Sequence, residues 1–115
     1  MNNKYDLEER TSRFGGNTIK FCRTIMEDNI SRPLINQLVR SATSIGANYM
    51  EANAASSRKD FKNKIFICKK EAQETMHWLK MITECEPGRK NEAEVLWRET
   101  QELTFIFGKI ISSMK

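Results

Sequence analysis

A chain of 115 residues is long enough for one domain with a modest core, and residues 1–115 show no break that would divide it. Hydrophobic residues make up 39% and charged residues 30%, which argues against wholesale disorder. The net charge of +4 permits an anionic partner without requiring one. No apolar run approaches the roughly 20 residues that cross a bilayer, and the N-terminus lacks a signal-peptide core. We therefore expect a cytoplasmic protein with no membrane association.

The apolar periodicity predicts helices throughout and no strand. The first helix is expected over about residues 6–27, and it contains Gly15 and Gly16. Two adjacent glycines destabilise a helix interior by about 2 kcal/mol relative to alanine. We therefore expect either a kink at this point or the close approach of a neighbouring helix.

Capping residues and turns delimit three further helices, over about residues 31–53, 57–84 and 91–113. Each range opens on a serine or asparagine, and these residues are typical N-caps; Ser31 and Ser57 are the stronger two. The short polar connections favour helices that run antiparallel to their neighbours. The prediction is an all-α, antiparallel, up-down-up-down four-helix bundle.

Apolar residues that recur three and four positions apart define the expected core. In the first two helices they are Leu7, Phe14, Thr18, Phe21, Ile25, Leu34, Leu38, Ala42, Ile45, Tyr49 and Ala52. In the last two helices they are Phe61, Ile65, Cys68, Ala72, Leu79, Val95, Leu96, Leu103, Ile106, Phe107 and Ile110.

The second and third helices carry polar residues where further apolar contact is expected. A polar stripe beside the core of the second helix is short-chained, and Gly46 near it would let another helix approach closely. The third helix is apolar over an unusually wide arc that includes Glu71 and Glu74, whose charges are costly to bury unless paired. These features predict an oligomer interface in which Arg40 is the candidate partner for the carboxylates. Its residues are Arg40, Ser44, Asn48, Glu51, Ile67, Glu71, Glu74 and Trp78.

Two alternatives stay open for this predicted interface. The stripe on the second helix is also compatible with a solvated face, although such faces usually carry more Lys and Glu. Glu71 and Glu74 are also compatible with edge positions from which the carboxylates reach water.

Basic residues are concentrated near the start of the third helix, where Asp60 is the one acidic residue between positions 58 and 70. Clustered positive charge on one helix face is what phosphate binding requires. We therefore predict a nucleic-acid-binding face, with a solvated lysine face as the alternative. The predicted binding residues are Arg58, Lys59, Lys62, Lys69 and Lys70.

Catalytic and metal-binding patterns are weak in this sequence. His77 is the only histidine, and no nucleophile motif or glycine-rich phosphate loop accompanies it. Glu74 and His77 have the Glu-x-x-His spacing of bundle metal sites, but a di-metal site needs that motif twice. The odd number of cysteines, without a Cys-x-x-Cys pair, supports neither a disulfide framework nor a zinc site. We expect no enzymatic activity, no cofactor and no metal.

Four stretches of the chain resemble the bacterial "four helix bundle protein" family, also called the 23S rRNA intervening-sequence or S23-type proteins. They are DLEERT at residues 6–11 followed by Phe14-Gly15, QLVRSATSIGANYME at 37–51, Phe61 with KEAQETMHWL at 70–79, and ELTFIFGKII at 102–111.

This resemblance implies a four-helix bundle that assembles into a ring-like homo-oligomer, with a pentamer favoured. Some family members are encoded within 23S rRNA genes, and a related branch comprises accessory proteins of retroelements that bind a reverse transcriptase and nucleic acid. The resemblance thus implies RNA or DNA as a partner, or a protein partner such as a reverse transcriptase. The resemblance implies that the positions at which the family carries polar residues correspond to Arg40, Asn48, Glu51 and Glu74 in this chain.

Overall fold

Residues 6–114, which the computed structural model describes, form four α-helices, one short 3₁₀ turn and no strand. The all-α prediction is confirmed. The helices are α1 (Leu7–Cys22), α2 (Ser31–Asn53), α3 (Arg58–Cys85) and α4 (Lys90–Ser112), with the 3₁₀ turn at Pro87–Arg89. Within these residues no helix is both long enough and apolar enough to cross a bilayer.

The end of α1 and the cap of α2 differ from the prediction. α1 ends at Cys22, but Ile25 is still buried after the helix has ended, so the apolar spacing continues beyond it. The carboxylate of Asp28 accepts the backbone N–H groups of Ile30 and Ser31 at the start of α2. Ser31 is therefore the buried first residue of α2 and does not act as its cap.

The predicted cap of α3 is confirmed, because the hydroxyl of Ser57 accepts the backbone N–H of Asp60 at 3.0 Å. α4 begins at Lys90 without a side-chain cap, one residue before the predicted Asn91.

The carboxylate of Asp28 is held ionised by its two backbone donors, which lower its pKa.

The glycines of α1 and α2 lie where these two helices approach each other. α1 continues through Gly15 and Gly16 as one helix, and a Cβ at Gly15 would lie 3.6 Å from the Cα of Thr43 on α2. A Cβ at Gly46 would lie 3.3 Å from the hydroxyl oxygen of Thr11 on α1. The small residue at position 46 therefore serves packing inside the chain.

The core is built from the predicted stripes with one clear exception. Val95 is 69% exposed, because the buried face of α4 runs through Ala93, Leu96 and Thr100 and leaves position 95 on another side. Ile82, at the end of α3, is fully buried and extends the core. The large side chains with almost no exposure are Phe14, Leu38, Ile45, Ile65, Leu79, Ile82, Leu103 and Phe107.

α1 meets α4 through a charged cluster. The guanidinium of Arg10 forms a two-point contact with Glu99, at 2.7 Å and 2.9 Å, and also contacts Glu102. The hydrogen bond to Glu99 is the main cause that raises the pKa of Arg10, which stays charged. Glu99, which falls among the core positions of α4 in the sequence, is thus compensated within the chain.

Candidate nucleic-acid interface

The predicted interface residues lie along the contact between α2 and α3. We call this region the seam surface; its residues are Arg40, Ser44, Asn48 and Glu51 on α2, and Ile67, Glu71, Glu74 and Trp78 on α3. On α3 they recur at three- and four-residue spacing, so they share one side of the helix. The structure therefore brings together residues that are far apart in the sequence.

Arg40 contacts two of the three carboxylates of the seam surface, those of Glu71 and Glu74. One of its terminal nitrogens lies 3.2 Å from Glu71, and the other contacts Glu74. The indole N–H of Trp78 donates to the carboxylate of Glu74 at 3.3 Å. The candidate partner of the carboxylates therefore reaches them within one chain. Their charges do not by themselves require a second subunit.

A second ion pair crosses the same seam. The ammonium of Lys64 lies 2.9 Å from the carboxylate of Glu51, and this hydrogen bond raises the pKa of Lys64. Asn48 donates its side-chain N–H to the backbone carbonyl of Ser44 at 2.9 Å. Most polar side chains of the seam surface therefore have a partner within the chain.

Beneath the seam surface the two helices share a buried hydroxyl pair. The side-chain oxygens of Ser41 and Thr75 lie 2.8 Å apart, and both residues are fully buried. Ser41 therefore belongs to the core, although its neighbours Arg40 and Ser44 belong to the seam surface. Trp78 is half-buried and packs against the core, while Ile67 remains 37% exposed.

The second candidate surface lies on the outer side of α3. We call it the basic face, formed by Arg58, Lys59, Lys62, Lys69 and Lys70. Arg58, Lys59 and Lys70 are exposed, and the other two are half-buried. Within residues 6–114 none of the five forms an ion pair with a carboxylate. Lys64, in the same part of α3, differs because Glu51 neutralises it.

Phe66 lies among the residues of the basic face, and sequence reasoning missed it. It is 48% exposed and lies four residues from both Lys62 and Lys70, so all three share one side of α3. Beside it is a shallow depression of about 350 Å³, lined by Phe66, Ile67, Lys69, Lys70 and Gln73. The four-residue spacing was available in the sequence. It was missed because only the charged residues of this face were considered.

The basic surface continues from α3 toward the C-terminal half of α4. The ammonium of Lys69 lies 4.0 Å from the position that a Cβ at Gly108 would take. One turn before Gly108, the ring of Phe105 is 65% exposed, and the ammonium of Lys109 lies 5.5 Å from its centre. This distance is within the range of a cation–π contact. A second aromatic residue beside a lysine therefore stands on the helix next to the basic face.

Residues 5–109 match the family model described as the 23S rRNA-intervening sequence protein. The chain belongs to this family. A solved structure of a protein of unknown function from the S23 ribosomal protein family of Bacteroides thetaiotaomicron is 31% identical. It superposes with a TM-score of 0.82 and the match covers 90% of this chain and 96% of that one. No curated protein matches this chain significantly.

The family resemblance inferred from the sequence motifs is thereby confirmed. The matched residues, 5–109, include every residue of the seam surface and of the basic face. In this family member the Arg40 contacts join two of the matched motifs, residues 37–51 and 70–79.

The alternative metal-binding residues of α3 are not assembled into a site. Glu74 is directed to Arg40 and Trp78, and the exposed His77 packs edge-on against Trp78, with ring centres 4.8 Å apart. In the described part of the chain no three His, Cys, Asp or Glu side chains converge as metal ligands. Burial raises the pKa of Cys22 to about 11 and that of Cys68 to about 12, so both thiols are neutral at physiological pH.

Proposed function

We propose that this protein is a non-enzymatic bundle protein that associates with RNA or DNA by binding phosphates on its basic face. The observation that carries the proposal is the absence of carboxylate partners for the five residues of that face within residues 6–114. A helix face that is merely solvated usually mixes both signs of charge. Here Glu51 pairs with Lys64 and Glu71 pairs with Arg40, and no carboxylate of the described residues pairs with the basic face.

The proposal includes assembly of this protein into a ring-like homo-oligomer, with a pentamer favoured, in the cytoplasm. We take the four helices to run antiparallel, up-down-up-down. The α2–α3 contacts support this for one pair, since Glu51 near the end of α2 meets Lys64 near the start of α3. The exposed Ile67, beside a seam whose charges are already paired, is suited to a subunit contact. Repetition around a ring would join the basic faces of several copies into one electropositive surface.

Salt dependence of RNA binding tests the phosphate proposal directly. Each phosphate contact that releases a counterion adds about 0.7 to the steepness of the plot of log affinity against log salt for a single strand. We expect wild-type affinity for a labelled 20-nucleotide RNA, measured by fluorescence anisotropy, to fall steeply with salt. The variant with Lys62→Gln, Lys69→Gln and Lys70→Gln should lose about 2 from that slope for each bound protomer.

A matched control separates the basic face from net charge. Lys20, Arg23 and Lys90 are exposed and lie outside α3, so replacing them by Gln removes the same charge from other places. This control should keep the wild-type slope. Salt-independent binding by the wild type, or equal losses in the two triple variants, would refute the proposed role of the basic face.

A second candidate function is a protein-interaction scaffold, or a reverse-transcriptase accessory subunit without nucleic-acid specificity of its own. The observation that favours it is the exposure of large apolar residues on α4, since Val95 is 69% and Phe105 65% exposed. RNA binding that does not respond to the Lys62, Lys69 and Lys70 substitutions would favour this candidate.

A further inference from the structure

We infer that Phe66 is a stacking platform for an unpaired base, and that the basic face therefore takes single-stranded in preference to duplex nucleic acid. This inference rests on the proposed function, because the phosphates of the same strand are held by the lysines of the basic face. It adds the class of nucleic acid, which phosphate contacts alone do not distinguish.

The position of Phe66 is the first observation. Its ring is 48% exposed, whereas Ile65, Cys68 and Ala72 on the inner side of α3 are fully buried. At about 100° per residue, Phe66 points away from these core residues and lies between Lys62 and Lys70. Within residues 6–114 the aromatic pairs are Tyr49–Phe107 and His77–Trp78, so Phe66 stacks on no other ring there.

The surroundings of Phe66 supply what a bound nucleotide needs. Lys62 and Lys70 lie one turn before and one turn after it, so both lysines share its side of the helix. The depression of about 350 Å³ beside the ring is lined on its other sides by Ile67, Lys69, Lys70 and Gln73. An aromatic face between lysines combines backbone attraction with base stacking, which is how single strands are bound without sequence readout.

Duplex nucleic acid cannot use this arrangement fully. Its bases are stacked on one another, so an exposed ring on a helix surface meets only phosphates and sugars. Lysines bind both forms, whereas a stacking ring favours the strand whose bases are free. The exposed Phe105 beside Lys109 extends the same chemistry onto α4, where Lys69 already approaches Gly108.

The test compares a labelled 20-nucleotide RNA with the duplex of the same sequence, at one salt concentration. We expect Phe66→Ala and Phe66→Leu to weaken single-strand binding roughly 5- to 150-fold, the range for loss of one stacked base. Duplex binding should change less than about twofold, since the phosphate contacts remain. Phe66→Trp should retain single-strand binding, and Leu is the control for apolar contact without an aromatic face. A 5-iodouridine photocrosslink should map to position 66.

The outcomes separate this inference from the proposed function. Lysine-dependent binding that is unaffected by Phe66→Ala, or that falls equally for both RNA forms, would overturn the stacking role and leave the basic face standing. Crosslinks that never map to position 66 would also count against stacking. Failure of the wild type to bind either RNA would instead refute the proposed function.

Discussion

The seam surface and the basic face lie on different sides of α3 and differ in how their charges are compensated. On the seam surface Arg40 forms ion pairs with Glu71 and Glu74, and Lys64 forms one with Glu51. The basic face has no such pairs within the described residues, although it belongs to the same helix. A charged residue in the sequence is therefore a poor guide to function until its partners are known. Charges paired in the chain stabilise the fold, and unpaired charges of one sign remain available to a ligand.

The largest effect is expected at the seam surface if it is the contact between copies. Ile67→Glu introduces a charge at a position that is 37% exposed in the single chain and would be buried against a neighbouring copy. We expect the assembly to dissociate to the 13.4 kDa chain in light-scattering chromatography. Val95→Glu, at an exposed position on α4 outside the seam surface, is the control. An unchanged assembly mass for Ile67→Glu would remove Ile67 from the proposed contact.

Breaking a compensated charge should lower stability moderately. Arg40→Met leaves the half-buried carboxylates of Glu71 and Glu74 close together without their cation. Since the Arg40 side chain is 45% exposed and therefore screened by water, we expect a loss of about 1–2 kcal/mol in the free energy of unfolding. Lys70→Met should stay within about 0.5 kcal/mol of wild type, because no partner is lost.

Urea unfolding at one protein concentration provides this comparison, since the stability of the proposed assembly would depend on concentration. Arg40→Met should lower the free energy of unfolding by less when Glu71→Gln and Glu74→Gln are already present. The difference between the two losses measures the coupling of Arg40 to the two carboxylates. Equal effects of Arg40→Met and Lys70→Met would mean that pairing does not distinguish the two surfaces.

The smallest expected effect concerns the inner side of α3, where Cys68 is fully buried. Burial raises the pKa of its thiol to about 12, so the reactive thiolate is scarce at pH 8, and burial blocks reagents as well. Cys22 is protected in the same way, whereas Cys85 is half-buried. We expect one thiol to react rapidly with a disulfide reagent in the native protein and three after unfolding. Rapid reaction of all three would contradict the burial of Cys22 and Cys68.

These two cysteines also predict the sign of a pH effect. Their folded-state pKa values, about 11 and about 12, lie above the value of about 8.5 for an unfolded chain. The folded state therefore favours the neutral thiols, and the associated stability is present below about pH 8.5. This stability should be lost as the pH rises from there through 11 to 12. The Cys22→Ala and Cys68→Ala variants lack these thiols. Their free energy of unfolding, measured in urea, should therefore fall less at alkaline pH than that of the wild type.

Much of the fold was predictable because helical spacing is a local property. The three-and-four spacing of Leu38, Ala42 and Ile45 reports burial directly, and all three are fully buried. The same rule failed at Val95, where an apolar side chain next to the stripe was taken for part of it. Ser31 was misassigned as a cap because Asp28, three residues earlier, supplies the carboxylate that holds the start of α2.

The candidate surfaces were less predictable because they depend on distances between helices. About thirty residues separate Arg40 from its two carboxylates, and no spacing rule states that they meet in one chain. For the same reason the sequence did not show that Gly46 packs against Thr11. Phe66 is different, since its spacing to Lys62 and Lys70 is local and its exposure followed from the helix geometry.

The most direct test is native mass spectrometry of the protein purified without nuclease, beside the variant with Lys62→Gln, Lys69→Gln and Lys70→Gln. We predict that the wild type appears at about five times 13.4 kDa with additional mass that nuclease removes. The variant should give the same oligomer without that mass, because we propose that copies assemble through the seam surface and bind nucleic acid on the basic face. A wild type without nucleotide mass, or a variant that retains it, would contradict the role of the unpaired lysines, and a bare monomer would contradict the assembly as well.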